Sequence, residues 1–81
     1  MPRATRLFVD LENDIITTTV ANFSGTIEVN IYNDEGTVVD CATSTINSYG
    51  SVMMNEAELP EGDYTIRITL GETIYDGKFS I

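Results

Sequence analysis

Apolar and polar residues alternate along most of this chain, and a period of two is typical of β-strands that bury one face. The clearest run covers residues 64–70, which starts with a tyrosine and carries threonine and arginine at the intervening positions. No apolar pattern at helical spacing persists over the length of a helix, so helices are not predicted. The inward face predicted for this run consists of Tyr64, Ile66, Ile68 and Leu70.

Further runs of the same kind predict the other strands. Several of them are rich in β-branched residues, which suit a pleated and half-buried surface. The positions between inward residues should face solvent, and these include the large side chains of Phe8, Tyr32 and Ile74. The inward positions predicted in these runs are Leu7, Val9 and Leu11; Ile16, Thr18 and Val20; Ile27, Val29 and Ile31; Val39 and Cys41; Val52 and Met54; and Tyr75, Gly77, Phe79 and Ile81.

Short segments of turn-forming residues separate several of these runs. Residues 13–14 are Asn and Asp, which tolerate the left-handed conformation that a tight hairpin requires. Residues 33–36 place Asn and Asp early and Gly last, as a four-residue turn prefers. Residues 71–72 place Gly first, which favours a type II′ turn. Residues 33–36 and 71–72 therefore predict hairpins, and residues 13–14 predict either two short strands or a loose hairpin.

Two further segments are predicted to interrupt the strands. Residues 22–25 are expected to form a turn with Phe23 tucked beneath it, and residues 43–51 a fraying strand end and a loop that carries Ile46 and Tyr49. Turn signals at this spacing, with alternation between them, predict an all-β fold. We expect an antiparallel immunoglobulin-like β-sandwich of about seven short strands.

The segment Leu59-Pro60-Glu61-Gly62-Asp63-Tyr64 has the spacing of a tyrosine corner. In such a corner the tyrosine enters a strand pointing inward, and its hydroxyl group bonds to backbone a few residues upstream. Proline and glycine supply the backbone angles of the turn, and the leucine can fill the core beside it. Leu59, Gly62 and Tyr64 are therefore predicted to be structural residues.

The length of 81 residues predicts one domain over 1–81, with residues 1–6 expected to be disordered. Thirteen acidic residues against four basic ones give a formal net charge of −9. This charge repels phosphate backbones, so nucleic acid is excluded as a partner. No apolar run has the length of a membrane span.

Few residues of this chain could carry catalysis. The chain has no histidine, which removes the usual proton shuttle and the commonest metal ligand. Cys41 is alone, so it can form no disulfide within the chain. A carboxylate pair could act on glycosides, but Glu56, Glu58, Glu61 and Asp63 are expected along an exposed edge without a cleft. We therefore predict neither an enzyme nor a cofactor.

Two groups of acidic residues could hold calcium, which binds six to eight oxygen ligands. Asp10, Glu12 and Asp14 surround the first turn, and residues 33–35 form a similar but shorter group. The spacing is not that of an EF-hand loop. Ordinary solvated turns account for the acidic residues of both groups, so metal binding is not predicted. The candidate ligands for a metal ion are Asp10, Glu12 and Asp14.

Two tyrosines outside the predicted core could contact a ligand. Tyr32 is expected to face solvent from a strand, and Tyr49 to lie in the long loop. Aromatic rings on a sandwich can stack on sugar rings or anchor a protein partner. The alternative is that these rings pack under neighbouring loops, or that the register is shifted by one residue and turns them inward.

Several of these motifs together resemble two families. With the turns and strands around them, they resemble the DUF3244 domains of gut Bacteroides, which are secreted or surface-associated immunoglobulin-like sandwiches without established activity. The hairpin turn followed by Leu-Pro-x-Gly-x-Tyr is also similar to the C-terminal sorting domains of the type IX secretion pathway. The segments that carry the resemblance are residues 25–31, 34–39, 59–64 and 77–81.

These observations predict a non-catalytic secreted or cell-surface module with a structural or protein-interaction role. The alternative function is a small carbohydrate-binding module, so the partner is expected to be an unidentified protein or glycan. We expect a monomer, or a weak dimer formed through the edge of the last strand, 75–81. Residues 1–3 are not followed by the apolar segment of a leader, so a cytoplasmic location stays open.

Overall fold

The structure is a computed structural model that describes residues 4–81, and these residues form an all-β fold of five antiparallel strands. The central strand, β2, pairs with β1, β3 and β4, and β5 pairs with β4. Within the described residues, no helical segment has the length and apolarity needed to cross a membrane. The strands are β1 (Arg6–Glu12), β2 (Ile15–Tyr32), β3 (Val38–Asn55), β4 (Asp63–Leu70) and β5 (Thr73–Ser80).

The strand count differs from the predicted seven because the two expected interruptions lie within long strands that continue past a single bulge at Asn22. β2 and β3 each run for 18 residues and pair with each other through residues 22–25 and 43–51. Asn22 and Ser48 take the left-handed conformation beside the register shift in this ladder. A bulge bends a sheet without ending its pairing, so the turn and the loop predicted here are wrong. Phe23 is partly buried against the core, as expected.

The bend lets one curled sheet enclose a core between two halves. The first half contains β1, residues 15–21 of β2 and residues 49–55 of β3, and the second contains β4, β5 and the remaining parts of β2 and β3. Both halves contribute to a single cluster of buried side chains. The antiparallel all-β class is thus confirmed. The cluster consists of Ile16, Val20, Ile27, Val29, Ile31, Ile46, Val52, Met54, Tyr64, Ile66, Ile68 and Leu70.

A second bulge reverses the predicted facing at the start of β3. Ile31 pairs with Asp40 and Tyr32 with Val38, which leaves Val39 as an extra residue between them. One extra residue moves every following side chain to the other face. Val39 and Cys41 are therefore exposed, and the prediction that they face the core is wrong. The inward positions are instead Asp40, Ala42, Ser44 and Ile46.

The tyrosine corner forms as predicted. The Tyr64 hydroxyl donates a hydrogen bond of 2.6 Å to the carbonyl oxygen of Pro60, and Leu59 packs against the core. Gly62 and Ile81 exchange backbone hydrogen bonds, which fasten the corner to the end of β5. The Tyr64 ring also stacks on Phe79, with the ring centroids 5.5 Å apart.

The hairpin turns have the predicted conformations. Asn13 and Asp14 both have positive φ, as a type I′ turn requires, and Gly71 alone has positive φ in its turn, as type II′ requires. Of the segment 1–6 that was expected to be disordered, residues 1–3 lie outside the described residues. The next residues are fastened to the bulge, because Thr5 Oγ1 donates to the Asn22 carbonyl and Asn22 Nδ2 donates to the Ala4 carbonyl.

Candidate partner-binding cleft

The two halves of the sheet do not meet between β1 and β5, and an apolar cleft opens there. We call it the β1–β5 cleft. Its walls are the inward side chains of the two edge strands, and its floor is part of the core. Such a groove between unpartnered strands is a common place for a protein to bind a partner. The walls are Leu7, Val9 and Leu11 of β1 and Tyr75 and Phe79 of β5, and the floor is Ile16, Ile66 and Ile68.

The walls of the cleft were predicted to be core. Their inward direction is correct, since Val9 and Leu11 stand opposite the buried Thr18 and Ile16 in the ladder with β2. Their burial is incomplete: Val9 is 48 % exposed, Leu11 40 % and Tyr75 38 %. Nothing in the described residues covers them. The cleft thus holds apolar side chains that the chain itself leaves partly in water.

A hollow lies in the middle of the β5 wall. Gly77 stands between Tyr75 and Phe79 and opposite Ile66 of β4, and it contributes no side chain. A Cβ atom at Gly77 would lie 3.5 Å from Ile66 Cγ2, which is ordinary van der Waals contact. A side chain from elsewhere can therefore enter here without displacing the floor.

The rims of the cleft are backbone edges. Within the described residues β1 pairs only with β2, and β5 pairs only with β4. Each edge strand therefore carries backbone N–H and C=O groups that point away from the sheet at strand spacing. Such edges are templates for pairing with an added strand.

Charged residues of both signs surround the cleft, because Lys78 of β5 lines it beside Asp76. Asp10 and Glu12 lie on the face of β1 that points away from the cleft, whereas on β5 Asp76 is neutralised by Arg67. Arg67 Nε donates to Asp76 Oδ1 at 2.8 Å and Nη2 donates to Oδ2 at 3.1 Å. This ion pair lowers the pKa of the Asp76 carboxyl group and raises that of the Arg67 guanidinium.

The structure does not gather the calcium candidates into a metal site. Within residues 4–81, no group of three His, Cys, Asp or Glu side chains is placed to hold a metal ion. Asp10 and Glu12 follow one face of β1, and the Asp14 carbonyl accepts a hydrogen bond from the Glu56 amide. In the second group, Asn33 Oδ1 accepts hydrogen bonds from the backbone of Glu35 and Thr37, so the turn uses this oxygen.

The two candidate tyrosines lie on the outer faces of different halves and do not form one site. Tyr49 is 68 % exposed and belongs to β3 rather than to a loop, and with Arg6 and Phe8 it borders a shallow depression. Tyr32 is half-buried beneath Arg67, whose guanidinium carbon is 5.7 Å from the ring centroid. A ligand role for either tyrosine stays a prediction.

One buried carboxyl group escaped the sequence analysis. Glu56, expected on an exposed edge, is only 3 % exposed, and its Oε1 has no hydrogen-bond partner among the described residues. Burial and the neighbouring Asp40 carboxylate raise the pKa of Glu56 to about 8. The signal was present in the alternation, because Val52, Met54 and Glu56 share one inward face.

Comparison with known proteins connects this fold to secretion. Residues 2–81 match the model of the secretion system C-terminal sorting domain, a sorting-signal family rather than a catalytic one. No curated protein shows significant similarity to the chain. The match supports the second of the two resemblances, and the resemblance to DUF3244 domains is not shown by it. Because the match covers nearly every residue, this chain belongs to the secretion system C-terminal sorting domain family.

Proposed function

We propose that this domain is a sorting signal that the type IX secretion machinery recognises as a folded unit. The observation that carries the proposal is the family match over residues 2–81. In this role the domain is a non-catalytic interaction module, and the protein that contains it is released or held at the cell surface. The family does not favour the alternative of a carbohydrate-binding module.

The fold supports recognition of a folded unit rather than of a short peptide. The corner at Tyr64, the bulge at Asn22 and the pairing of Gly62 with Ile81 bring together segments that are far apart in sequence. A surface built in this way exists only after folding. We further infer that the bent sheet is a variant of the immunoglobulin-like sandwich, in which bulges join segments that are separate strands elsewhere.

The test is export of a reporter in a bacterium that has type IX secretion. The domain is fused to the C-terminus of a fluorescent protein that carries a periplasmic leader, and the reporter is measured in the medium, at the cell surface and in the periplasm. We expect export that is lost in an isogenic strain without the type IX translocon. Retention of the fusion in the periplasm, with the domain folded, would overturn the proposal.

A further inference from the structure

We propose that the β1–β5 cleft binds an extended strand of a partner protein that has apolar side chains at alternate positions and a net positive charge. The inference deepens the proposed function and rests on it in assigning this partner to the secretion machinery. The strand-binding step itself rests on the cleft alone. Three features carry it: the spacing of the walls, the free backbone edges and the net charge of the chain.

The walls repeat at the spacing of a β-strand. Val9 and Leu11 on one side, and Tyr75 and Phe79 on the other, come from positions that are two or four residues apart in extended chain. An extended partner also presents every second side chain to the same face, at about 6 to 7 Å. Its inward side chains therefore meet these walls in register, and one of them enters the hollow above Gly77.

The edges provide the polar contacts that an added strand needs. An extended segment in the cleft can pair with the free edge of β5 or of β1, so its backbone groups leave water without losing hydrogen bonds. β1 contains 7 residues and β5 contains 8, so the docked segment has about that length. Alternate side chains then point into the cleft and give specificity.

Charge decides between a foreign strand and a second copy of this chain. Each copy has a formal net charge of −9, so two copies repel each other, and edge-to-edge pairing of β5 with β5 is opposed at low salt. The same charge attracts a cationic partner and speeds its association. The cleft itself is bordered by charges of both signs, so the preference for a cationic partner comes from the net charge of the whole chain.

The first experiment uses a synthetic peptide as the probe. Valine and threonine alternate along its length and two lysines stand at each end; a second peptide carries glutamates in place of the lysines. Binding is measured by fluorescence anisotropy, and hydrogen exchange locates the protected amides. We expect saturable binding of the lysine peptide, with protection of β1 or β5 amides. The affinity for the glutamate peptide should be at least about tenfold lower. No binding of either peptide would overturn the proposal.

The variant Gly77→Leu tests the cleft without unfolding the domain. Gly77 lies in a strand without a positive φ, and a Cβ there meets only ordinary contact, so leucine fills the hollow without backbone strain. We expect a melting temperature no lower than that of the parent and a loss of peptide affinity of at least about tenfold. Ile74→Leu places a leucine on the outward face of the same strand and should leave affinity unchanged. A folded Gly77→Leu variant that binds the peptide normally would overturn the proposal.

The same variant in the export assay separates this inference from the proposed function. Loss of export in Gly77→Leu, with Ile74→Leu exported normally, would support both. Normal export of Gly77→Leu would leave the sorting function standing and overturn the role of the cleft in it. Failure of the parent fusion to be exported would overturn the sorting function, and the peptide result would still decide strand binding. A dimer in sedimentation that Gly77→Leu abolishes would identify a second copy as the occupant and overturn the foreign strand.

Discussion

The two sides of the curled sheet have the same alternation of apolar and polar residues but bury their apolar side chains to different extents. On the closed side, residues 27–32 of β2 have β3 on one edge and β4 on the other, and Ile27, Val29 and Ile31 are fully buried. On the open side, β1 and β5 have no further neighbour, and Val9 and Leu11 stay partly in water. The difference lies in whether the topology provides a covering strand, which local sequence does not encode. Apolar residues on the open side are consequently available for binding.

The largest expected contrast is the cost of removing an apolar side chain on each side. Ile31→Ala in the closed core should lower the free energy of unfolding by about 2 to 5 kcal/mol, because it leaves a cavity. Leu11→Ala on the cleft wall should cost about 1 kcal/mol, since this side chain buries less apolar area. Chemical denaturation of the two variants checks this. Equal losses would mean that the cleft is closed in solution.

The next contrast concerns carboxyl groups and pH. The Glu56 pKa is raised from 4.5 to about 8 in the folded protein, so between these values native Glu56 keeps its proton while unfolded Glu56 releases it. The free energy of unfolding therefore falls as pH rises through this window, by roughly 2 to 3 kcal/mol between pH 5 and 7. Glu56→Gln should remove this component, and Glu12→Gln at the exposed rim should not. Parallel pH profiles of parent and Glu56→Gln would contradict the burial of this group.

A smaller effect is expected from the tyrosine hydroxyls. Tyr64→Phe removes the hydrogen bond to the Pro60 carbonyl and leaves that oxygen without its partner, at a cost of about 1 to 2 kcal/mol. Tyr75 lies on the cleft wall, and within residues 4–81 its hydroxyl makes no hydrogen bond. Tyr75→Phe should therefore leave the denaturation midpoint unchanged. Equal shifts in the two variants would show that the corner bond contributes nothing specific.

The sequence predicted facing and turns well where both depend on neighbours in the chain. The alternation from Tyr64 to Leu70 and the positive φ of Gly71 are of this kind. Prediction from the sequence failed where the pairing between strands determines the local conformation. Asn22 has the same local preference for a turn and for a bulge, and only the ladder between β2 and β3 makes it a bulge. The bulge that displaces Val39 likewise has no local signal.

The candidate cleft was hidden from the sequence for the same reason. Val9 and Tyr75 have the pattern of core residues, and their exposure follows from the absence of a strand beside β1 and β5 among the described residues. Glu56 was placed on an exposed edge because acidic residues are rarely buried, although the alternation from Val52 turns it inward. In both cases the alternation predicted the direction of the side chain, and the packing of neighbouring strands determined how far it is buried.

The smallest expected effect is the change in the free energy of unfolding when leucine replaces a glycine, and this change should have opposite signs at Gly77 and Gly71. Gly77→Leu adds apolar contact on the open side and restricts the unfolded chain, so it should raise the free energy of unfolding by about 0.5 to 1 kcal/mol. Gly71→Leu places the same side chain at a φ of +59° in the turn between β4 and β5, where leucine is strained, and should lower it. Thermal and chemical denaturation of both variants measures the difference. A loss of stability in Gly77→Leu would mean that the hollow is already filled in the free domain, and the open side would then be no cleft at all.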